Sequence, residues 1–226
     1  MRAVTAKRMA VGLVVGSNAL PGDSLMFLIR SGFCLALALL PALACADWTE
    51  GRTKLGVEFE LEKGAGNAWQ SRGLTLVPGI KLDNRWISMV ELLLEGAREH
   101  DEVTGERSSE RKFGVRIRHE FPLTADAKIV LRGLLGHAWQ GDEKFAYYYV
   151  EPSFKYAFEH FEMMVGYRLV HGIDAGKEHD LHKFRLGPSF DLSDRSELEF
   201  RWARSWNLHT GQHVSDAYIV EYTQKF

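Results

Sequence analysis

The chain stops on SDAYIVEYTQKF, Ser215 to Phe226. Counted back in twos from Phe226, the residues are Gln224, Tyr222, Val220 and Tyr218. Between them lie Lys225, Thr223, Glu221 and Ile219. Apart from Gln224 and Ile219, one set is aromatic or aliphatic and the other polar. Successive side chains of a β-strand point to opposite faces, so this is a strand with one apolar and one polar side.

Nine further segments alternate in the same way. They run 54–62, 72–82, 86–98, 112–121, 127–140, 145–158, 161–170, 181–192 and 197–208. In the first, Leu55, Val57, Phe59 and Leu61 oppose Lys54, Glu58, Glu60 and Glu62. In the fourth, Phe113, Val115, Ile117 and Phe121 oppose Lys112, Arg116, Arg118 and Glu120. The connections after the odd segments are polar and mostly long, including EHDEVTGERSSER at 99–111. Those after the even segments are short, such as Asp83-Asn84-Arg85.

The N-terminal region reads as a leader. From Met26, the expected true start, Arg30 is followed by the apolar run Phe33 to Leu43 and by Ala44-Cys45-Ala46, a small-residue cleavage pattern. Residues 1–46 are thus expected to be an N-terminal extension and cleaved signal peptide, and 47–226 the mature protein. Cleavage removes four of the 28 basic and one of the 30 acidic residues, taking the formal charge from −2 to −5. Both cysteines, Cys34 and Cys45, leave with it, so no disulfide or thiol chemistry is expected.

No apolar run in the mature region is long enough for a membrane helix, which needs ~18 residues. If the chain sits in a membrane, it does so as a closed barrel, because only helices and closed barrels satisfy every backbone group in lipid. The final strand resembles the C-terminal signal of bacterial outer-membrane β-barrels, with Tyr218, Val220, Tyr222 and Phe226 as its apolar positions. That resemblance implies an antiparallel up-and-down transmembrane β-barrel of about ten strands, with twelve as the alternative. It also implies the outer membrane of a Gram-negative bacterium, outer-membrane lipids as surroundings, and the barrel-assembly machinery as a partner read through the last strand. With both termini periplasmic, Trp86, Phe121 and Phe226 fall near the inner aromatic girdle, and Trp139 and Trp206 near the outer. A soluble β-sandwich would alternate too, but rarely sets charges so regularly opposite aromatics.

The polar faces then line the lumen. Arg116, Arg118, Arg132, Arg168, Lys183, Arg185 and Arg201 form a basic arc, and Glu58, Glu60, Glu91, Glu95 and Glu221 a smaller acidic arc. Two readings stand. A narrow barrel zips these charges into ion pairs, since unpaired buried charge is too costly to leave. A hydrated lumen keeps the arcs apart and favours anions on the arginine side.

The short hairpins, YYYVEPSFKY at 147–156, HKFRLGPSFDLSDRSELEFRW at 182–202 and the terminal aromatic are similar to the oligogalacturonate-specific, KdgM-like family of small porins. The resemblance implies an arginine-lined track for a small anionic solute or acidic oligosaccharide, running over Arg116, Arg118, Arg132, Arg168, Arg185 and Arg201. That family has twelve strands where ten are counted here.

Rival chemistries have weaker footing. His209, His213, Ser215 and Asp216 are the nearest approach to a serine-hydrolase set. Asp174, Asp180, His179 and His182 are the nearest to a rim protease, and the rim histidines to a metal site. Polar loops explain all of these residues equally well, and no enzyme activity, metal or cofactor is expected. Gly64-Ala65-Gly66 lies in a hairpin loop rather than between strand and helix, and no nucleic-acid partner is expected. The alternative to a channel is a non-conducting structural or adhesin-type barrel acting through the charged loop at 99–111.

Overall fold

The computed structural model describes residues 52–173, 176 and 179–226. The leader, the Met26 start, both cysteines and Asp174 lie outside the described residues. Ten strands follow one another: β1 (Thr53–Gly64), β2 (Trp69–Lys81), β3 (Met89–Asp101), β4 (Arg107–Pro122), β5 (Ala127–Gln140), β6 (Glu143–Ala157), β7 (Glu162–Ile173), β8 (Leu181–Ser193), β9 (Ser196–Asn207) and β10 (His213–Lys225). Each pairs antiparallel with the next, and β10 pairs with β1, so the sheet closes on itself. The closing register runs from Lys54↔Lys225 to Gly64↔Ser215. Beyond it, the Phe226 N–H donates to the Thr53 carbonyl at 2.9 Å. Closure is complete with ten strands, not twelve.

The alternation in the sequence is the alternation of the wall. Phe59, Leu92, Leu94, Phe113, Val115, Ile117, Leu131, Val150, Phe154, Leu169, Phe200 and Val220 all face outward and exposed. So contiguous an apolar surface would be a liability in water and is the surface a barrel turns to lipid. Tyr218, Val220 and Tyr222 belong to it, as the terminal stretch requires. Aromatic rings collect towards both rims. Tyr156 packs on Phe158 at 4.9 Å, and Phe158 on Phe161 at 4.8 Å, at the end that carries the chain termini, here the terminal end. Trp139, Trp202 and Trp206 lie on the strands towards the opposite, distal end.

Three expectations need correction. Strand β3 begins at Met89, and Trp86 sits in the preceding turn, which spans 82–88. The long loop at 99–111 is mostly ladder: pairing continues to His100↔Arg107, leaving only 102–106 as a turn. Asp101 Oδ1 accepts the N–H groups of Val103 and Thr104 at 2.8 Å each, and Gly105, at φ 74, closes the reversal. The expected asymmetry of long and short connections is therefore weak. The 82–88 turn at the terminal end is longer than the 102–106 turn at the distal end. Outside a membrane a hairpin needs no apolar face, so its strands read as loop in sequence while their hydrogen bonds persist.

Candidate functional site: the lumen

Inward-facing side chains divide the lumen into three zones. At the terminal end is an open vestibule of about 750 Å³, walled by residues that include Lys54, Arg118, Glu120, Lys128, Glu162, Asp191 and Lys225. Its charges are partly hydrated. Lys128 Nζ reaches Glu162 at 2.9 Å and Glu120 at 3.6 Å, with roughly a third of the Lys128 and Glu120 side chains exposed (32% and 35%). Arg118 pairs with Glu120 on its own strand.

Above the vestibule is a belt of buried charge. Its tightest knot is Glu151 on β6, whose side chain is 0% exposed. Glu151 accepts from Arg132 on β5 at 2.7 Å, Arg168 on β7 at 2.5 Å and Arg185 on β8 at 2.6 Å. The register makes this possible. Arg132 is directly opposite Glu151, and Arg168 lies on the other neighbouring strand. Arg185 reaches in from one strand further. The face of Tyr149 lies 4.1 Å from the Arg168 guanidinium, so a ring covers the cation where no second carboxylate does.

Two more knots complete the belt. Glu91 on β3 pairs with Arg116 and with Lys54 Nζ, the latter at 2.5 Å. Arg201 on β9 pairs with Glu58, with Glu221 at 2.7 Å and with Glu199 at 3.4 Å. Gly187 makes room here, because a Cβ at that position would stand 1.8 Å from the Phe200 carbonyl oxygen. Burying these charges is tolerable only because each has opposite charge at contact.

The third zone is the distal half. Val77, Leu93, Leu134, Ala138, Phe145, Tyr147 and Tyr149 pack together on the inner faces of β2 to β6. Beside them, towards β1, β8 and β10, is a chamber of only about 80 Å³ lined by Glu58, Glu60, Glu62, Glu95, Lys112, Arg168, Lys183 and Arg185 among others. Lys112 Nζ meets Glu95 at 3.0 Å and Glu110 at 2.8 Å, and Lys183 Nζ lies 3.7 Å from Glu62, which also accepts from Ser215.

Every residue of the expected basic arc faces the lumen, and every one has a carboxylate partner. Of the acidic arc, Glu58, Glu91, Glu95 and Glu221 are so paired, and Glu60 lines the small chamber. The arcs do not face each other across water. The apolar packing of Leu93, Leu134 and Phe145 is not signalled by the alternation, because these residues fall on the inward phase of β3, β5 and β6 among the charges.

Among the described residues the rival sets are not assembled. Ser215 points inward to Glu62, whereas His213 turns to Asp216 at 3.2 Å on the other face of β10. Asp180 holds His171 at 2.7 Å and His209 at 2.6 Å, while His182 bonds the Tyr167 hydroxyl at 2.5 Å. Among the described residues no group of three or more His, Cys, Asp or Glu side chains is placed to hold a metal ion.

No family model matches the sequence, and no curated protein is similar to it in sequence. Solved structures are similar in shape. An outer-membrane channel from Pseudomonas putida F1 aligns with a TM-score of 0.52 at 10% identity, over 78% of this chain and 96% of that one. The KdgM porin in complex with disordered oligogalacturonate gives 0.39 at 13% identity, over 76% and 99%. The translocator domain of the autotransporter NalP from Neisseria meningitidis gives 0.45 at 12% identity, over 90% and 98%. The first of these likenesses is one of fold. The chain has the fold of an outer-membrane β-barrel, closed with ten strands around a lumen crossed by ion pairs.

Proposed function

We propose that this chain is an outer-membrane channel for small polar or anionic solutes, held shut at mid-height by its own ion pairs. The observation that carries the reading is the division of the lumen: a wide vestibule ends against a belt of paired charge, with a second small chamber of mostly polar lining beyond it. With the termini periplasmic, the vestibule opens to the periplasm. Charges that seal by pairing with each other also pair with a solute. An anion entering the belt offers Arg132, Arg168 and Arg185 an alternative to Glu151, so the arginines that close the passage are also its anion track. Acidic oligosaccharides fit this chemistry.

Liposome swelling tests it. Vesicles holding the refolded protein should swell slowly in small neutral sugars and faster in small sugar acids of equal size. Equal rates for both would remove the anion track. A second reading, a non-conducting structural barrel, is favoured by the apolar packing around Leu134 and Tyr147, which fills one side of the distal lumen as a protein core does. It predicts no swelling in any solute. Adhesion through the distal loops has less to stand on, since the 99–111 segment is mostly paired strand.

A further inference from the structure

The outer wall carries a feature the lumen does not explain. Near the distal end, Arg72 on β2 lies directly opposite Arg98 on β3, both exposed and both on the outward face. Arg98 is opposite Ser109 on β4, which places Arg107 and Arg111 one outward step to either side. Like charges set directly opposite on a sheet repel. Among the described residues none of the Arg72, Arg98 or Arg111 side chains has an ion-pair or hydrogen-bond partner. The outward positions of β2 to β4 here carry no acid. Glu99 and Glu110, next in sequence, fall on the inward phase, and Glu102 and Glu106 belong to the hairpin tip, where Glu102 Oε2 lies 3.9 Å from His100.

The same height on the opposite wall is built differently. Arg204 on β9 is gripped by both oxygens of Asp216, at 2.7 and 3.1 Å. His171 is held by Asp180 at 2.7 Å. The Arg204 cation on that side is neutralised by the protein; the arginines on β2 to β4 are left for something else.

Position says what. On the same outward face, two residues along each strand, Arg72 gives way to Leu74 and Arg111 to Phe113, both part of the apolar band. Between Arg98 and Leu94 stands Gly96, where an added Cβ would meet nothing within 4 Å, leaving a notch in the wall. A ligand that satisfies this surface is anionic at one end, apolar at the other, and lies along the barrel. The arginine fork matches phosphate in two-pronged geometry, and basic clusters at a membrane edge hold anionic headgroups.

We propose that the distal outer wall of β2 to β4 binds a phosphate-bearing lipid of the surrounding leaflet, its phosphate over Arg72, Arg98 and Arg111 and its acyl chains on the band below. The site needs the barrel to sit in lipid but not the lumen to conduct.

The test is equilibrium binding of a fluorescent phosphatidic acid to the full chain refolded in maltoside micelles, against the matching diacylglycerol, which lacks only the phosphate. The wild type should bind phosphatidic acid at least about tenfold more tightly than the diacylglycerol, and Arg72→Ser/Arg98→Ser/Arg111→Ser should lose that preference. Arg204→Ser, on the opposite wall, should keep it. Where the triple variant does not refold, Arg98→Ser alone should lower the preference several-fold. An unchanged preference in the arginine variants overturns the proposal. Release of the lipid by millimolar inorganic phosphate overturns it too, by making this a site for the free ion. Swelling rates and conductance should not move with these variants, so failure here is distinguishable from failure of the channel reading.

Discussion

The belt and the vestibule are made of the same residue types and behave as different materials. In the belt, Glu151 is completely buried and meets three guanidinium groups within 2.7 Å. In the vestibule, Glu120 and Lys128 stand 3.6 Å apart with about a third of each exposed (35% and 32%). Water makes the difference. Where it reaches, a charge can do without its partner; where it does not, the partners are structural, and together they cross the lumen. On the proposed reading the belt is both part of the core and the gate, and removing a charge should register in stability as well as in permeation.

The sharpest way to break this contrast is Glu151→Gln, which leaves the buried Arg132 and Arg185 and the part-buried Arg168 without their shared carboxylate. Removing one partner of a buried pair costs on the order of 3–5 kcal/mol. Urea unfolding of the micelle-bound barrel should show a loss of that size, and an unchanged midpoint would mean the arginines are hydrated after all. Next is Gly187→Ala. Its Cβ would collide with the Phe200 carbonyl, pushing β8 from β9 beside Arg201 at a cost of about 1–3 kcal/mol. A neutral result in the same unfolding experiment would show that the two strands have slack. In the vestibule, Glu120→Gln should cost less than about 1 kcal/mol, the usual worth of an exposed pair. A cost matching that of Glu151→Gln would erase the distinction between the zones.

A fourth variant probes the distal rim. Burial pushes the Asp180 carboxyl up, but the His209 hydrogen bond, the Gly172 N–H and His171 outweigh it and hold it below the usual carboxylate range. A depressed folded value means stability that is present above the unfolded carboxylate pKa, ~3.9, and lost as pH falls through the folded value. Asp180→Asn should therefore be less stable than wild type at neutral pH, with the gap closing in strong acid. A gap that persists at low pH would assign the effect to packing rather than charge.

The sequence carries the wall better than the filling. Period-two alternation is local, so every strand and both faces could be read from residues such as Leu55/Glu58 or Phe113/Arg116. Pairing is not local. Glu151 meets Arg185 across 34 positions and Arg201 meets Glu58 across 143, and these distances depend on register and closure, which no single segment contains. Reading the charges as two arcs kept their strands and lost their partners. The 99–111 segment failed for another reason: a hairpin beyond the membrane has no apolar side to announce it, although its ladder runs on to His100↔Arg107.

The measurement that goes most directly to the gate is single-channel conductance of the refolded protein in a planar bilayer, wild type beside Glu151→Gln. The belt predicts a wild type that is shut most of the time, with brief small openings. It predicts a Glu151→Gln barrel that opens more often and for longer, with a preference for anions under a salt gradient. A wild type that conducts steadily, or a folded Glu151→Gln barrel as silent as its parent, would contradict the account.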